Sequence, residues 1–405
     1  MNWNTRVATA LLAVLATVGV SGCASEVQGT SVSSELDVRA LDTGKFPTTP
    51  PKIASRLDDL GYARLEAARL ADAVLSPHEV DPKYSVGASA RVHTDAQSVA
   101  QYLAEPAIPV LQNHGFVLGF STGSAEDVPP LTDPAAGVRQ RDGLTVTVSR
   151  FPDAAAAKAA AAELDAVDLG LNPENAPVGL PKYPDARAHW RPAFPTLGST
   201  TPHGNYVISV LAETRTADID RLVDATQKYL AAEIAELDRF SATPIGKFNT
   251  LHQDPDGLLV RVIQDKGVVP APDGQGEVVL TLRGYLNYVQ DQSGRLPVLR
   301  KAGVDRIAVT PNAFGFRAAD DAAAARFVTE SAELGNAADR RAVDPPTDVP
   351  GAACVQDYVA PKEAQFRCFV SYRRYAALVL GSRLWETQQR AAAQYALLAN
   401  ESGGR

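Results

Sequence analysis

The sequence predicts an α+β protein built from two like halves. Each half reads as a ferredoxin-like βαββαβ unit with a terminal helix, related to the other by internal duplication, with the two sheets packed together. Three observations predict this. Short β-branched runs alternate with helical stretches along the chain. Landmarks of the first half recur in the same order in the second. Each half closes on an amphipathic helix, whose apolar stripe needs a sheet to cover.

The chain opens with a leader. Arg6 precedes an apolar run from Val7 to Val20, which ends in Val20-Ser21-Gly22-Cys23. A membrane-spanning helix needs about twenty apolar residues, so this run suits a cleaved signal segment, residues 1–22. Residues 20–23 resemble the bacterial lipoprotein lipobox. That resemblance implies cleavage between Gly22 and Cys23 and a diacylglyceryl group on Cys23, and two acyl chains anchor stably where one does not. An ordinary secretory signal with a chance cysteine is the alternative. Residues 23–52 are polar and rich in Ser, Thr and Pro, and read as a flexible tether. The stretch Leu41-Asp42-Thr43-Gly44-Lys45-Phe46-Pro47-Thr48-Thr49-Pro50 resembles the opening motif of a family of uncharacterised actinobacterial lipoproteins. Leu65 to Ala71 and Glu79-Val80-Asp81-Pro82 resemble that family's first domain. The resemblance implies location and domain layout, and no chemistry.

The remainder divides into two domains, 53–245 and 246–405. In the first, Leu57 to Leu75 reads as an extra helix. Ala90 to His93 is a weak strand, Ala96 to Asn113 is helical, and Phe116 to Ser121 and Leu144 to Phe151 are strands. Asp153 caps an alanine-rich helix running to about Val167. Tyr206 to Ala212 is a strand, and the apolar spacing from Ile219 to Leu237 marks a helix. In the second, Leu258 to Gln264 reads as an extra strand and Val278 to Arg283 as another. Tyr285 to Ala302 is a helix interrupted near Gly294 and Pro297. Val304 to Thr310 and Ala313 to Arg317 are strands, and Asp320 or Asp321 caps the next helix. Cys368 to Leu380 is a strand and Leu384 to Asn400 a helix.

The repeat rests on four pairs of landmarks. Ile108-Pro109-Val110-Leu111 with Gly115 matches Leu296-Pro297-Val298-Leu299 with Gly303. Asp153 and four alanines match Asp321 and four alanines. Tyr206 matches Tyr375, and Tyr229 matches Tyr395. A Pro- and Asp-rich insertion near 122–142 accounts for the one shifted offset.

Each half leaves a long irregular stretch before its last strand, at about 168–203 and 335–367. Such loops are uncommon unless they bind something or are disordered. Tyr183, His189, Trp190 and Phe194 make the first a candidate contact loop; folding back as a lid is the alternative. Of three cysteines, Cys354 and Cys368 remain beside Cys23. In an exported chain they read as one disulfide, against two free buried thiols.

The search for chemistry returns little. Gly119-Phe120-Ser121-Thr122-Gly123 fits the nucleophile-elbow pattern, but no helix follows it. Glycine-rich and Asp-rich stretches stop short of phosphate or calcium sites. The six histidines show no metal spacing. No catalytic residue, metal or cofactor is assigned. A formal net charge of -8 argues against nucleic acid as a partner. The sequence therefore points to a lipid-anchored protein on the extracytoplasmic face of the cell membrane. It would be non-enzymatic and bind a small ligand or an envelope protein. The alternative is a cell-envelope enzyme holding a cofactor or substrate between its halves.

Overall fold

The computed structural model describes residues 36–53, 56–126, 141–264, 277–335 and 338–402. The leader, the lipobox and Cys23 lie outside the described residues, as does most of the Pro- and Asp-rich insertion. Residues 38–405 form one compact unit. No helix among the described residues is long and apolar enough to cross a membrane.

The first helix, α1 (Asp59–Leu70), begins where the Asp58 carboxylate accepts from the Gly61 amide at 2.7 Å. It is followed by α2 (Pro77–Val80) and β1 (Val86–His93). The single helix expected over 96–113 is two, α3 (Ala96–Ala100) and α4 (Ala107–Asn113). Then come β2 (Leu118–Ala125), β3 (Gly143–Arg150) and α5 (Ala154–Leu169). The supposed loop after α5 carries strands β4 (Ala176–Val178), β5 (Arg187–Trp190) and β6 (Thr196–His203). The half ends with β7 (Tyr206–Glu213) and α6 (Ile219–Leu237).

The second half follows the same order. It comprises β8 (Val278–Thr281), α7 (Leu282–Leu286), α8 (Gln292–Lys301), β9 (Arg306–Val309), β10 (Ala313–Arg317) and α9 (Asp321–Glu333). After these come β11 (Arg340–Val343), β12 (Ala353–Asp357), β13 (Phe366–Tyr372), β14 (Tyr375–Gly381) and α10 (Leu384–Ser402). The expected single strand over 368–380 is therefore a hairpin. It turns at Arg373, whose φ of 50° matches that of Gly204, 54°, in the β6–β7 turn. The expected strand over 258–264 is a short 3-10 turn, Leu259–Arg261, because the Asp254 carboxylate accepts from the amides of Leu258, Leu259 and Val260. The expected helix from Tyr285 breaks at 287–291, ahead of Gly294, and Pro297 stays inside α8.

Both sheets are antiparallel and seven-stranded. Their orders are β1-β2-β3-β7-β6-β5-β4 and β8-β9-β10-β14-β13-β12-β11, so the two match position for position. This differs from the four-strand ferredoxin-like expectation. In a split βαβ unit a third strand separates the two joined by a helix; here β1 and β2 are direct neighbours. Positive-φ glycines, Gly115 and Gly303, close the helices before β2 and β9. Asp153 and Asp320, rather than Asp321, cap α5 and α9.

One core runs through both halves. It joins Phe120, Val146 and Leu230 of the first to Leu286, Phe316 and Leu378 of the second. Between them runs α1, in contact with β2, β8 and α7. Buried on several sides, it carries Glu66 inside, held by Arg69 at 2.6 Å, Arg150 at 3.3 Å and the Thr243 amide at 2.7 Å. Polar groups close the seam. The Asp72 carboxylate accepts from the Thr281 hydroxyl at 2.6 Å, and the Asn287 amide donates to the carbonyls of Ala71 and Val74. The Gly87 amide donates to the Gln290 carbonyl at 2.8 Å. A Cβ at Gly87 would collide with the Val289 carbonyl oxygen, so only glycine allows this approach.

Candidate functional site

Each half holds a cleft against its sheet. The larger, in the second half, encloses about 920 Å³, within the range of small-molecule sites. Its floor is sheet surface: Val309 of β9, Phe314 of β10, and Leu378 and Leu380 of β14. Alternate side chains of a strand share a face, and cross-strand pairing fixes the rest: Phe314 stands opposite both Val309 and Leu378, and Leu380 opposite Arg367. Tyr285 and Tyr288 of the α7 segment form a wall. The Tyr285 ring meets Phe314 and Phe316 edge-on, at centroid distances of 6.2 and 6.0 Å.

One end of this cleft is cationic. Arg295 of α8, Arg340 of β11 and Arg367 of β13 converge there. Asp357 of β12, almost fully buried, accepts from Arg340 Nε at 2.9 Å and pairs with Arg367 Nη2 at 3.2 Å, through the same oxygen. Its other oxygen accepts from the amides of Val359 and Ala360 and so shapes the rim, where Tyr358 and Val359 are exposed. Arg340 also donates to the Leu334 carbonyl. Arg295 has no hydrogen-bond or ion-pair partner among the described residues. Burial, reinforced by Arg340, pulls its guanidinium below the usual range. Burial does the same to Arg367, with Arg340 and Arg295 adding to it and Asp357 opposing. Two of the three cations thus share one carboxylate, while Arg295 has none bonded to it.

The smaller cleft, about 270 Å³, occupies the matching place in the first half. Thr147 pairs with Ser209, and Gly198 with Leu211. Counted from the hairpin turn, these are the positions that Phe314, Leu378, Arg367 and Leu380 fill in the second half. One wall is thus hydroxyl-lined and the other apolar with a guanidinium. His189 also lines the smaller cleft, 3.6 Å from Asp165 and 3.4 Å from Asp168. Burial opposes its charging, but the two carboxylates prevail and raise its pKa.

Of the predicted contact residues, the structure brings only His189 to a cleft. Strand alternation turns its neighbour Trp190 to the opposite face, where Trp190 and Tyr183 pack on the core. The Trp190 indole donates to the Phe194 carbonyl at 2.7 Å, and Arg191 covers the Phe194 ring. The four residues do not form one surface. Cys354 and Cys368 form the expected disulfide, as direct partners on β12 and β13.

Ser121 of the elbow-like motif stands mid-strand in β2, between Arg91 and Thr147, and not at a strand-to-helix turn. Its hydroxyl is 2.7 Å from His93 Nε2 and 2.7 Å from the Thr147 hydroxyl. The other ring nitrogen meets Ser98, at 3.1 Å, where a triad would place a carboxylate. Both Ser121 and His93 are fully buried, and burial holds His93 down to about 3, hence neutral. This is a satisfied polar chain in the core, ending at the wall of the smaller cleft through Thr147.

Residues 56–253 match the domain of unknown function DUF7373, N-terminal part, and residues 258–401 match its C-terminal part. The chain belongs to the DUF7373 family. The family's two domains coincide with the two sheets, so the DUF7373 seam is the one that α1 fills. No curated protein matches the chain. A solved structure that does is the extracellular domain of PknH from Mycobacterium tuberculosis. Identity is 12%, with a TM-score of 0.31, over 42% of this chain and 94% of that one. So low a score supports no argument about fold or function. Among the described residues, no group of three His, Cys, Asp or Glu is placed to hold a metal.

Proposed function

We propose that this DUF7373 protein is a lipid-anchored, non-enzymatic binding protein of the actinobacterial kind. It stands on the extracytoplasmic face of the cell membrane and holds a small ligand in the cleft of its second half. The observation that carries this is the cleft itself: about 920 Å³ of space with apolar walls and a few converging polar groups. The lipobox at Val20 to Cys23 supports the anchor. Of the expected tether, residues 41–48 instead dock on α10, where Leu41 and Phe46 are buried and Asp42 and Thr48 accept from Gln389 and Asn400. The polar run ahead of them is what supports a spacer. We further propose that the halves arose by duplication. The matched strand orders and the equivalent clefts support this.

Two experiments test the reading. Cys23→Ala should move the protein from the membrane to the soluble fraction; retention in the membrane contradicts the anchor. The chain from Ala24 to Arg405 keeps every described element and serves for binding. The uncharged fluorophore N-phenyl-1-naphthylamine should bind it saturably, and the cleft-filling variants Leu378→Trp and Ala360→Trp should abolish that binding. Equal binding by parent and both variants would exclude the cleft.

A second reading, an envelope enzyme, draws on His189 flanked by Asp165 and Asp168 beside a hydroxyl-lined wall, since a carboxylate-oriented imidazole suits a general base. Ester hydrolysis lost in His189→Ala would favour it.

A further inference from the structure

We propose that the ligand of the second-half cleft is a single-chain amphiphile with an anionic head, a carboxylate or phosphate, seated at Arg295, Arg340 and Arg367. The inference rests on the reading of that cleft as a ligand site and adds the class of ligand.

The charges in the cleft are arranged end to end. Arg340 and Arg367 share Asp357, so two cations face one carboxylate, and that carboxylate is already engaged by two backbone amides as well. Arg295 adds a third cation with no partner among the described residues. An unpaired guanidinium in a poorly solvated wall costs stability, and a site that keeps one needs a counter-ion to repay it. The hydroxyl of Tyr285 has no hydrogen bond among the described residues, so it is free to donate to the same anion.

Two other carboxylates line the cleft; Asp291 favours the Arg295 charge through space but does not bond to it, and burial still outweighs it. Asp291 is exposed and engaged as the cap of α8, accepting from the Gly294 amide at 2.9 Å. Glu277 lies beside β8, the far edge of the sheet from β11. Four strand spacings separate β8 from β13, about 19 Å at about 4.8 Å each. Between those ends the floor is Val309, Phe314, Leu378 and Leu380. A long apolar trough with its cations gathered at one end fits a chain with one charged terminus. A compact polar anion would leave most of the trough dry and empty. A neutral oil would leave Arg295 unpaired.

Competition against bound N-phenyl-1-naphthylamine tests the inference. Dodecanoate, dodecyl phosphate and uncharged dodecanol are compared on the Ala24 to Arg405 chain, and the first two distinguish the carboxylate from the phosphate. At least one anion should displace the fluorophore at a concentration tenfold or more below that of dodecanol. Arg295→Met and Arg295→Gln should each weaken the anion by tenfold or more. Fluorophore and dodecanol binding should stay unchanged, and the melting temperature should be equal to or above the parent's, which shows the variants fold. Dodecanol as effective as both anions, or unaltered anion affinity in both variants, would overturn the anionic head and leave the cleft reading standing. Failure of the fluorophore and all three competitors to bind would overturn both.

Discussion

Glu233 shows what a single buried residue does to the whole. It is fully buried on α6, where its carboxylate accepts from the Leu75 amide at 2.9 Å and lies 3.1 Å from the Tyr229 hydroxyl. Burial pushes its pKa from 4.5 to about 8. Between those values the folded state holds a proton that the unfolded state has released, so stability falls as pH rises through that window. His93 acts in the opposite sense, because burial lowers it from 6.5 to about 3. There the unfolded state binds the extra proton, and stability is lost as pH falls from 6.5 towards 3. The two oppose each other between about 4.5 and 6.5, so their sum places the stability maximum there. Urea denaturation across pH 5 to 9 should show a decline above 6.5 that Glu233→Gln makes shallower, with His189, whose pKa is also raised, supplying the remainder. A decline of equal slope in the variant would mean that Glu233 is not a source of it. Sequence alone does not separate Glu233 from Glu236, since both lie on one helix three residues apart. Arg295, Arg340 and Arg367 were equally hidden, since they come from one helix and two strands and meet only through strand order.

At the level of elements, sequence periodicity found the long helices and central strands and missed the short ones. Strands β4, β5, β11 and β12 have three to five residues each, too few for an alternation to register. In β6 the run Thr196 to His203 is mostly Ser, Thr, Gly and Pro, which reads as loop. The turn of the β13–β14 hairpin lacks the usual Gly or Asn signal, because Arg373 takes the left-handed conformation itself. These missed strands carry His189, Arg340 and Asp357, so the error about loops was also an error about the clefts. The disulfide was legible because the expected lipobox claims Cys23 and leaves Cys354 and Cys368 only each other. It ties β12, with Asp357, to β13, with Arg367. Its loop spans a separation of 14, and a loop of that size is worth about 3 kcal/mol. Replacing both cysteines with alanine should cost about that much in urea denaturation, and should weaken anion binding because the shared carboxylate loses its brace. A loss below about 0.5 kcal/mol would show that the strands hold without the bond.

On the scale of the molecule, two family domains share one core. Helix α1 and the seam of Asp72, Asn287 and Gly87 join the halves through that core. Residues 38–405 should therefore melt in one calorimetric transition, with the van't Hoff and calorimetric enthalpies equal. Two resolved transitions would show halves that fold independently. The like strand order of the two halves was anticipated by four landmarks. The divergence was not, because the positions that differ, Thr147 against Phe314 and Gly198 against Arg367, align only through strand register. That divergence is the centre of the account: like-built halves, with equivalent clefts of unlike chemistry. Calorimetric titration of the Ala24 to Arg405 chain with dodecanoate tests it most directly. The account predicts one molecule bound per chain, held tenfold or more weaker in Arg295→Met and unchanged in His189→Ala. Two molecules per chain, or one held as tightly in Arg295→Met and lost in His189→Ala, would contradict it.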